Sequence, residues 1–143
     1  MTTDPEKQDV LLFAQKIFDS QPFSSLLDAV LVDASPTTAK ISVTNRPELQ
    51  QQHGFLHGGV VSYLADNSLT FAGGLALGGD ALTSEFKINY VKPAVGDLVV
   101  AEAEAIATTR HQAVCRCDVF SCTDGDKSLI AVAQGTIVSV RKR

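Results

Sequence analysis

Residues 58 to 77, GGVVSYLADNSLTFAGGLAL, carry a single charged side chain, Asp66, in a run otherwise made of apolar, small and neutral polar residues. Such a run is too long for a strand, and its Ala and Leu content favours helix. Gly78-Gly79 is the stop signal. His57, Asp66, Asn67 and the glycines beyond Phe55 argue against a membrane span. A greasy helix of this length must be covered by the rest of the chain. Four strand-like segments follow it, at 81 to 91, 97 to 109, 112 to 122 and 127 to 140. "SEFKINYV" and "KSLIAVAQGTIVSV" alternate polar and apolar residues, as half-buried strands do. Pro93 with Gly96-Asp97, Arg110-His111 and Asp124-Gly125 mark the turns. The layout is therefore α+β: one long central helix wrapped by a curved antiparallel sheet of five to six strands.

The N-terminal part adds to this frame. Asp4-Pro5-Glu6 reads as an N-cap, a first-turn proline and an acid, and Val10, Phe13, Ala14 and Ile17 recur at helical spacing. An amphipathic helix over about 5 to 18 is expected, then a short helical turn near 23 to 28. Strands are expected at 29 to 34 and 38 to 44, and a loop from about 45 to 56. No repeat or linker interrupts the chain, so residues 1 to 143 are expected to form one domain with a central helix at about 58 to 77.

Composition limits the partners. A net charge of −4 leaves no basic face for nucleic acid, and the one basic cluster, Arg141-Lys142-Arg143, reads as a solvated tail. Neither nucleic acid nor membrane is an expected partner. The start, MTTDPEKQD, has no basic n-region and no apolar h-region, so a cytoplasmic location is expected. Cys115, Cys117 and Cys122 include no C-x-x-C pair and read as small buried hydrophobes, which fits a reducing compartment.

The two ends of the apolar run carry the chemistry. Gly58 and Gly59 open the helix, where backbone N–H groups lack internal partners and carry the positive end of the dipole. A carbonyl oxygen gaining negative charge would be stabilised there. The blander reading is that the glycines let the loop pack tightly. On a helical wheel Ser62, Asp66, Thr70 and Gly73 form one polar stripe, while Val60, Leu64, Phe71 and Leu75 mark the core face. No Lys or Arg lies between 58 and 77, so a cleft or subunit interface explains the stripe better than solvent does. Gly58 and Asp66 are separated by roughly 12 Å along the axis, at ~1.5 Å per residue. One small reacting group cannot touch both within a chain. Antiparallel helices in a two-fold dimer could bring Gly58 of one subunit to Asp66 of the other.

These residues resemble a known family. Gln51, Gly54, His57-Gly58-Gly59 and Asp66, at their spacing, are similar to the motif of hotdog-fold acyl-CoA thioesterases, especially the PaaI-like and 4-hydroxybenzoyl-CoA groups. "TSEFKINYVKPAVGD", with Tyr90, Pro93, Gly96 and Asp97, resembles the strand and turn after the family's helix. The resemblance spans about residues 25 to 140. It implies a hotdog fold, to which the N-terminal helix read from periodicity is an addition, and an acyl-CoA substrate hydrolysed to free acid and coenzyme A. It implies Asp66 as nucleophile or general base, the Gly58 N–H as the group polarising the carbonyl, and His57 as the residue positioning that turn or the substrate. Gln51 stands where PaaI-like enzymes usually carry Asn. The branch that has Gln there pairs it with Glu, so the Gln51–Asp66 pair is a mixture; either amide can hold water or a thioester oxygen. Thr70 matches a hydroxyl near the attacking water, and Gly59 and Ser84 are further candidates to contact substrate. No metal or organic cofactor is expected beyond coenzyme A as part of the substrate. The expected assembly is a homo-oligomer, a homodimer at least and a homotetramer by expectation, with active sites at the subunit interface. Lys87, Lys92 and Arg110 could each meet coenzyme A phosphates. Ser62 lacks the G-x-S-x-G setting of a nucleophile. The alternative function is a non-catalytic acyl-CoA binding or sensing protein on the same fold.

Overall fold

A computed structural model describes residues 5–140. The Asp4 cap and the Arg141-Lys142-Arg143 tail lie outside the described residues. Two helices open the chain, α1 at Pro5–Asp19 and α2 at Pro22–Leu26. Strands β1, Val30–Ala34, and β2, Thr38–Thr44, follow. A loop with a short 3-10 turn at Pro47–Leu49 leads into the long helix α3, Gly58–Leu77. The chain ends in four strands: β3 at Ala81–Tyr90, β4 at Leu98–Thr108, β5 at Gln112–Thr123 and β6 at Asp126–Ser139. The expected element order is thus met, and α3 occupies the expected span. No helix among the described residues is long and apolar enough to cross a membrane.

All six strands join one antiparallel sheet in the order β1-β2-β4-β5-β6-β3. Consecutive strands β4, β5 and β6 pair as a meander, because their connections are too short for anything else. β3 follows α3 directly but pairs only with β6, at the far edge. The helix lies across the inner face of the sheet. Leu64, Ala65, Leu69 and Ala72 of α3 are fully buried, as are Ile41, Val99, Ala101, Cys115, Cys117, Val119 and Ile137 of the strands. Small residues dominate this inner face and bring the sheet close. At Gly73 an added Cβ would fall 2.6 Å from the Ile137 Cβ, so only glycine fits there. This corrects the helical wheel, which set Gly73 on the polar stripe: the curved sheet reaches around and covers it. Gly78, with φ at 78°, ends the helix in the left-handed conformation.

The outer face of the sheet is polar. Glu102 takes Lys40 at 2.9 Å and Lys127 at 2.8 Å. Partial burial pushes its carboxyl upward, and the two ammonium groups outweigh that and hold it below the usual range. The three cysteines divide by environment. Cys115 and Cys117 face the helix and are fully buried, whereas Cys122 is half-buried near the end of β5. Burial pushes the Cys115 thiol to about 11 and the Cys117 thiol to about 12. Alkylation of the native protein with iodoacetamide at mildly alkaline pH should therefore mark Cys122 first. Peptide mass mapping should find Cys115 and Cys117 modified only after denaturation; equal labelling of all three thiols would contradict this packing.

Candidate active site

The loop before α3 is folded by the side chains the sequence singles out. The Gln51 Oε1 accepts the backbone N–H of His53 at 2.5 Å and of Phe55 at 3.4 Å. That fixes the orientation of its amide and leaves the NH2 group as the only part able to meet a ligand. Gly54 takes φ of 84° in the tight turn between them. His57 is the N-cap of α3: its Nδ1 accepts the Gly59 N–H at 2.8 Å. A side chain at 59 would strike that ring at 2.9 Å, which explains the second glycine.

An inventory of the first helical N–H groups then separates the glycine pair. His57 takes the Gly59 N–H with its ring and the Val60 and Val61 N–H groups with its carbonyl, at 2.9 and 3.3 Å. Among the described residues, the Gly58 N–H is the one left without a partner. Gly59, expected to contact substrate, has its donor already committed. A Cβ at Gly58 would make only ordinary contact with the Tyr90 ring, 3.6 Å away, so packing within the chain does not demand glycine there. Tyr90, at the end of β3, donates to the Gly58 carbonyl at 3.2 Å and shares a hydrogen bond with Ser62 at 2.5 Å. Ser62 is thereby a support for Tyr90. Gln51, Gly58, Tyr90, Lys92 and Pro93 line an open cleft of about 400 Å³. Of the three lone cations, only Lys92 is in it; Lys87 lies in a hollow on the outer face with Arg116, and Arg110 is in an exposed turn.

Asp66 lies in a different cleft, of about 370 Å³, lined also by Gln21, Phe23, Tyr63, Asn67 and Thr70. Its Oδ1 accepts the Thr83 hydroxyl at 2.6 Å and lies 3.4 Å from the Thr70 hydroxyl. The Thr70 hydroxyl also reaches the Asp66 carbonyl at 2.7 Å and the Thr83 hydroxyl at 2.8 Å. One carboxylate oxygen is thus anchored by Thr83 and approached by Thr70, and among the described residues no side chain holds Oδ2. Behind it a partly buried network ties the N-terminal helices to α3. Asn67 Nδ2 donates to Gln21 Oε1 at 3.0 Å and to the Tyr63 hydroxyl at 3.2 Å, and the buried Ser24 hydroxyl meets both Gln21, at 2.7 Å, and Tyr63, at 2.6 Å. Burial raises the Tyr63 hydroxyl pKa despite these bonds.

The two clefts have no lining residue in common. A donor site at the start of α3 and a carboxylate site two turns on therefore stand apart in one chain, on a fold of one helix wrapped by six strands. Residues 53–127 match the model of the thioesterase superfamily. The chain belongs to that superfamily. A thioesterase family protein from Silicibacter pomeroyi has a similar structure, with a TM-score of 0.85 and 29% identity over 90% of this chain and 96% of that one. A curated protein of Archaeoglobus fulgidus, provisionally named an esterase, is 28% identical over 99% of this chain and 90% of its own length. The PaaI protein from the phenylacetic acid degradation operon of E. coli shares the fold, with a TM-score of 0.81 over 95% of this chain and 96% of that one, at 17% identity. The fold is the hotdog fold, and the family's chemistry is thioester hydrolysis.

One contact differs from the sequence-based expectation. Ser84 is exposed and lines neither cleft; Thr83 is the residue that reaches Asp66. The alternation of Phe86 and Ile88 points Ser84 inward, but a β-bulge between Thr83 and Glu85 shifts the phase by one residue. The interrupted alternation across Thr83-Ser84-Glu85 is the signal that could have flagged it. If Thr83 orients the carboxylate, Thr83→Val should lower kcat for thioester hydrolysis about tenfold with little change in KM. Thr83→Ser, which keeps the hydroxyl, should restore most of it; an equal loss in both variants would make Thr83 a packing residue only.

Proposed function

We propose that the chain hydrolyses acyl-CoA thioesters to the free acid and coenzyme A, in sites shared between two copies of itself. The observation that carries this reading is the pairing of an unclaimed Gly58 N–H with an unclaimed Asp66 Oδ2 in clefts that share no residue. Each cleft supplies half of what acyl transfer needs, an oxyanion donor or an activating carboxylate. The edge strand β3 supports the pairing. Among the described residues it is bonded only to β6 and its other edge is uncovered, and it carries Tyr90 of one cleft and Thr83, which donates to the carboxylate of the other. An uncovered strand of ten residues is a template for addition of another strand. Two copies joined antiparallel along β3 about a two-fold axis would set their α3 helices side by side and opposed. Each Asp66 would then face the other copy's Gly58. Whether two such dimers join as a tetramer does not alter the chemistry.

In that site the thioester carbonyl oxygen accepts from the Gly58 N–H and the Gln51 NH2. Gln51 acts as a donor to the carbonyl, since its oxygen is committed to the loop. Asp66 Oδ2 removes a proton from water as the water oxygen bonds to the carbonyl carbon, and the electron pair moves onto the held oxygen. Collapse of that oxyanion breaks the C–S bond, and the departing coenzyme A sulfur takes the proton. The same geometry lets Oδ2 attack the carbon itself, breaking the C–S bond and expelling the coenzyme A thiolate to give a mixed anhydride; water then opens it to the free acid and the Asp66 carboxylate, and the released proton goes to the thiolate. Neither route calls for a metal or an organic cofactor. The buried reduced thiols suit the cytoplasm, where coenzyme A esters are available.

A thiol-release assay with a panel of acyl-CoA esters tests the chemistry. Asp66→Asn should lower kcat/KM about a thousandfold; equal thiol release by wild type and variant would take catalysis away from Asp66, and no release by either would leave the binding or sensing alternative. Mixing tests the sharing. Asp66→Asn and Gln51→Ala should each be nearly inactive, but randomly reassorted dimers of the two should regain about a quarter of wild-type activity, because half are mixed and each of those has one intact site. No recovery after verified subunit exchange would place both halves of the site in one chain.

A further inference from the structure

A narrow groove of about 120 Å³ runs between α1 and the C-terminal half of α3, with Phe13, Ile17, Phe71, Leu75 and Gly74 along it. It shares Gln21 and Thr70 with the Asp66 cleft, so the two adjoin at those side chains. We propose that this groove takes the acyl group, that the acyl group is an unbranched aliphatic chain, and that Gly74 sets the length accepted. The inference rests on the acyl-CoA reading above and adds to it the class of acyl group.

Three observations carry it. First, α1 has more apolar surface than its packing uses. Ala14 and Phe18 are buried against the body of the protein, while Phe13 is 56% and Ile17 37% exposed, and both face the groove. Second, the groove begins at Thr70, beside the carboxylate, and continues along the helix to Gly79 and Asp80. From Asp66 to Gly74 the axis advances about 12 Å, the reach of a medium-length chain and far beyond that of an acetyl group. Third, the two glycines in the middle of α3 differ in what they are for. Gly73 is demanded by the packing of Ile137. A Cβ at Gly74 would meet only the Ala81 Cβ at 3.5 Å and the Gly79 carbonyl at 3.6 Å, both ordinary contacts. Glycine inside a helix is unfavourable relative to alanine, so packing gives no reason for it at 74. Its effect is to leave room, because Ala81 and Gly79 are themselves lining residues of the groove. Asp80 at the far mouth disfavours a chain ending in a carboxylate.

The test is kcat/KM for straight-chain butanoyl-, hexanoyl-, octanoyl-, decanoyl- and dodecanoyl-CoA, with phenylacetyl-CoA as the aromatic comparison. Wild type should gain roughly fourfold per buried methylene until the groove is filled, then level off. Gly74→Leu should move that plateau to shorter chains and lower the decanoyl-to-butanoyl ratio at least tenfold. Gly74→Ala, which favours the helix, should shift the ratio in the same direction with thermal stability equal to or above wild type, and it guards against misfolding of the larger variant. A flat wild-type profile, a preference for phenylacetyl-CoA over every aliphatic ester, or folded Gly74 variants with the wild-type profile would each overturn the groove assignment while leaving thioester hydrolysis intact. Failure of wild type to release thiol from any ester would overturn the acyl-CoA reading and this inference with it.

Discussion

The packing of α3 against the sheet is the constraint from which the rest follows. A helix of twenty residues with one charge cannot stand in water. The strands around it meet that demand with an inner face made largely of Ala, Val and Cys, whose small side chains bring the backbones close. Close approach makes the sheet curve, and curvature carries it far enough around the helix to cover Gly73. What the sheet leaves uncovered is a single line, from Gly58 past Ser62 and Asp66 to Thr70 and Gly74. Both candidate clefts and the apolar groove lie on that line. The site is therefore the residue of the packing, the one face of α3 that its own chain does not enclose.

Asp66 shows how a carboxylate is kept there. A lone charge on such a helix would be expensive to hold if it were buried without partners. Here one oxygen is hydrogen-bonded by Thr83 and approached by Thr70, and the side chain is only half-buried. The N-terminal helices add a second wall without offering a cation. Their attachment through Gln21, Ser24, Asn67 and Tyr63 is polar and internally satisfied, so it fixes the wall's position while leaving the carboxylate's free oxygen unclaimed. A Lys or Arg in place of any of those groups would pair with Asp66 and tie up that oxygen.

Much of this was legible in the sequence, because it depends on local periodicity. The bounds of α3, the run of long strands and the separation of Gly58 from Asp66 all follow from repeat and rise per residue. Long-range and phase-dependent features were not legible. The Gln21–Asn67 contact joins residues 46 apart. The choice of Thr83 over Ser84 turns on one bulge, which the broken alternation hints at but only the pairing with β6 locates. Placing Gly73 on the polar stripe assumed a flat boundary between covered and open faces, whereas a curved sheet makes that boundary wind around the helix.

The N-cap shows why the glycine pair could be recognised from sequence but not resolved into its two roles. A histidine at the cap is an unusual choice, since Ser, Thr, Asp and Asn are the common ones. A short capping side chain would also satisfy a donor of the first turn, so capping alone does not explain it. The imidazole reaches back over Gly59 as a flat ring, and its bulk excludes any side chain at that position. With the backbone carbonyl of the same residue taking Val60 and Val61, a single residue commits three of the four donors at the helix start. The one donor left among the described residues belongs to Gly58, which lines the cleft at the positive end of a twenty-residue dipole. The cap thus does more than stop the helix from fraying. By consuming every neighbouring donor, it leaves a single N–H, that of Gly58, to meet the carbonyl in the mechanism proposed above, and Gln51, whose oxygen is held by its own loop, keeps its NH2 to supply the second donor there.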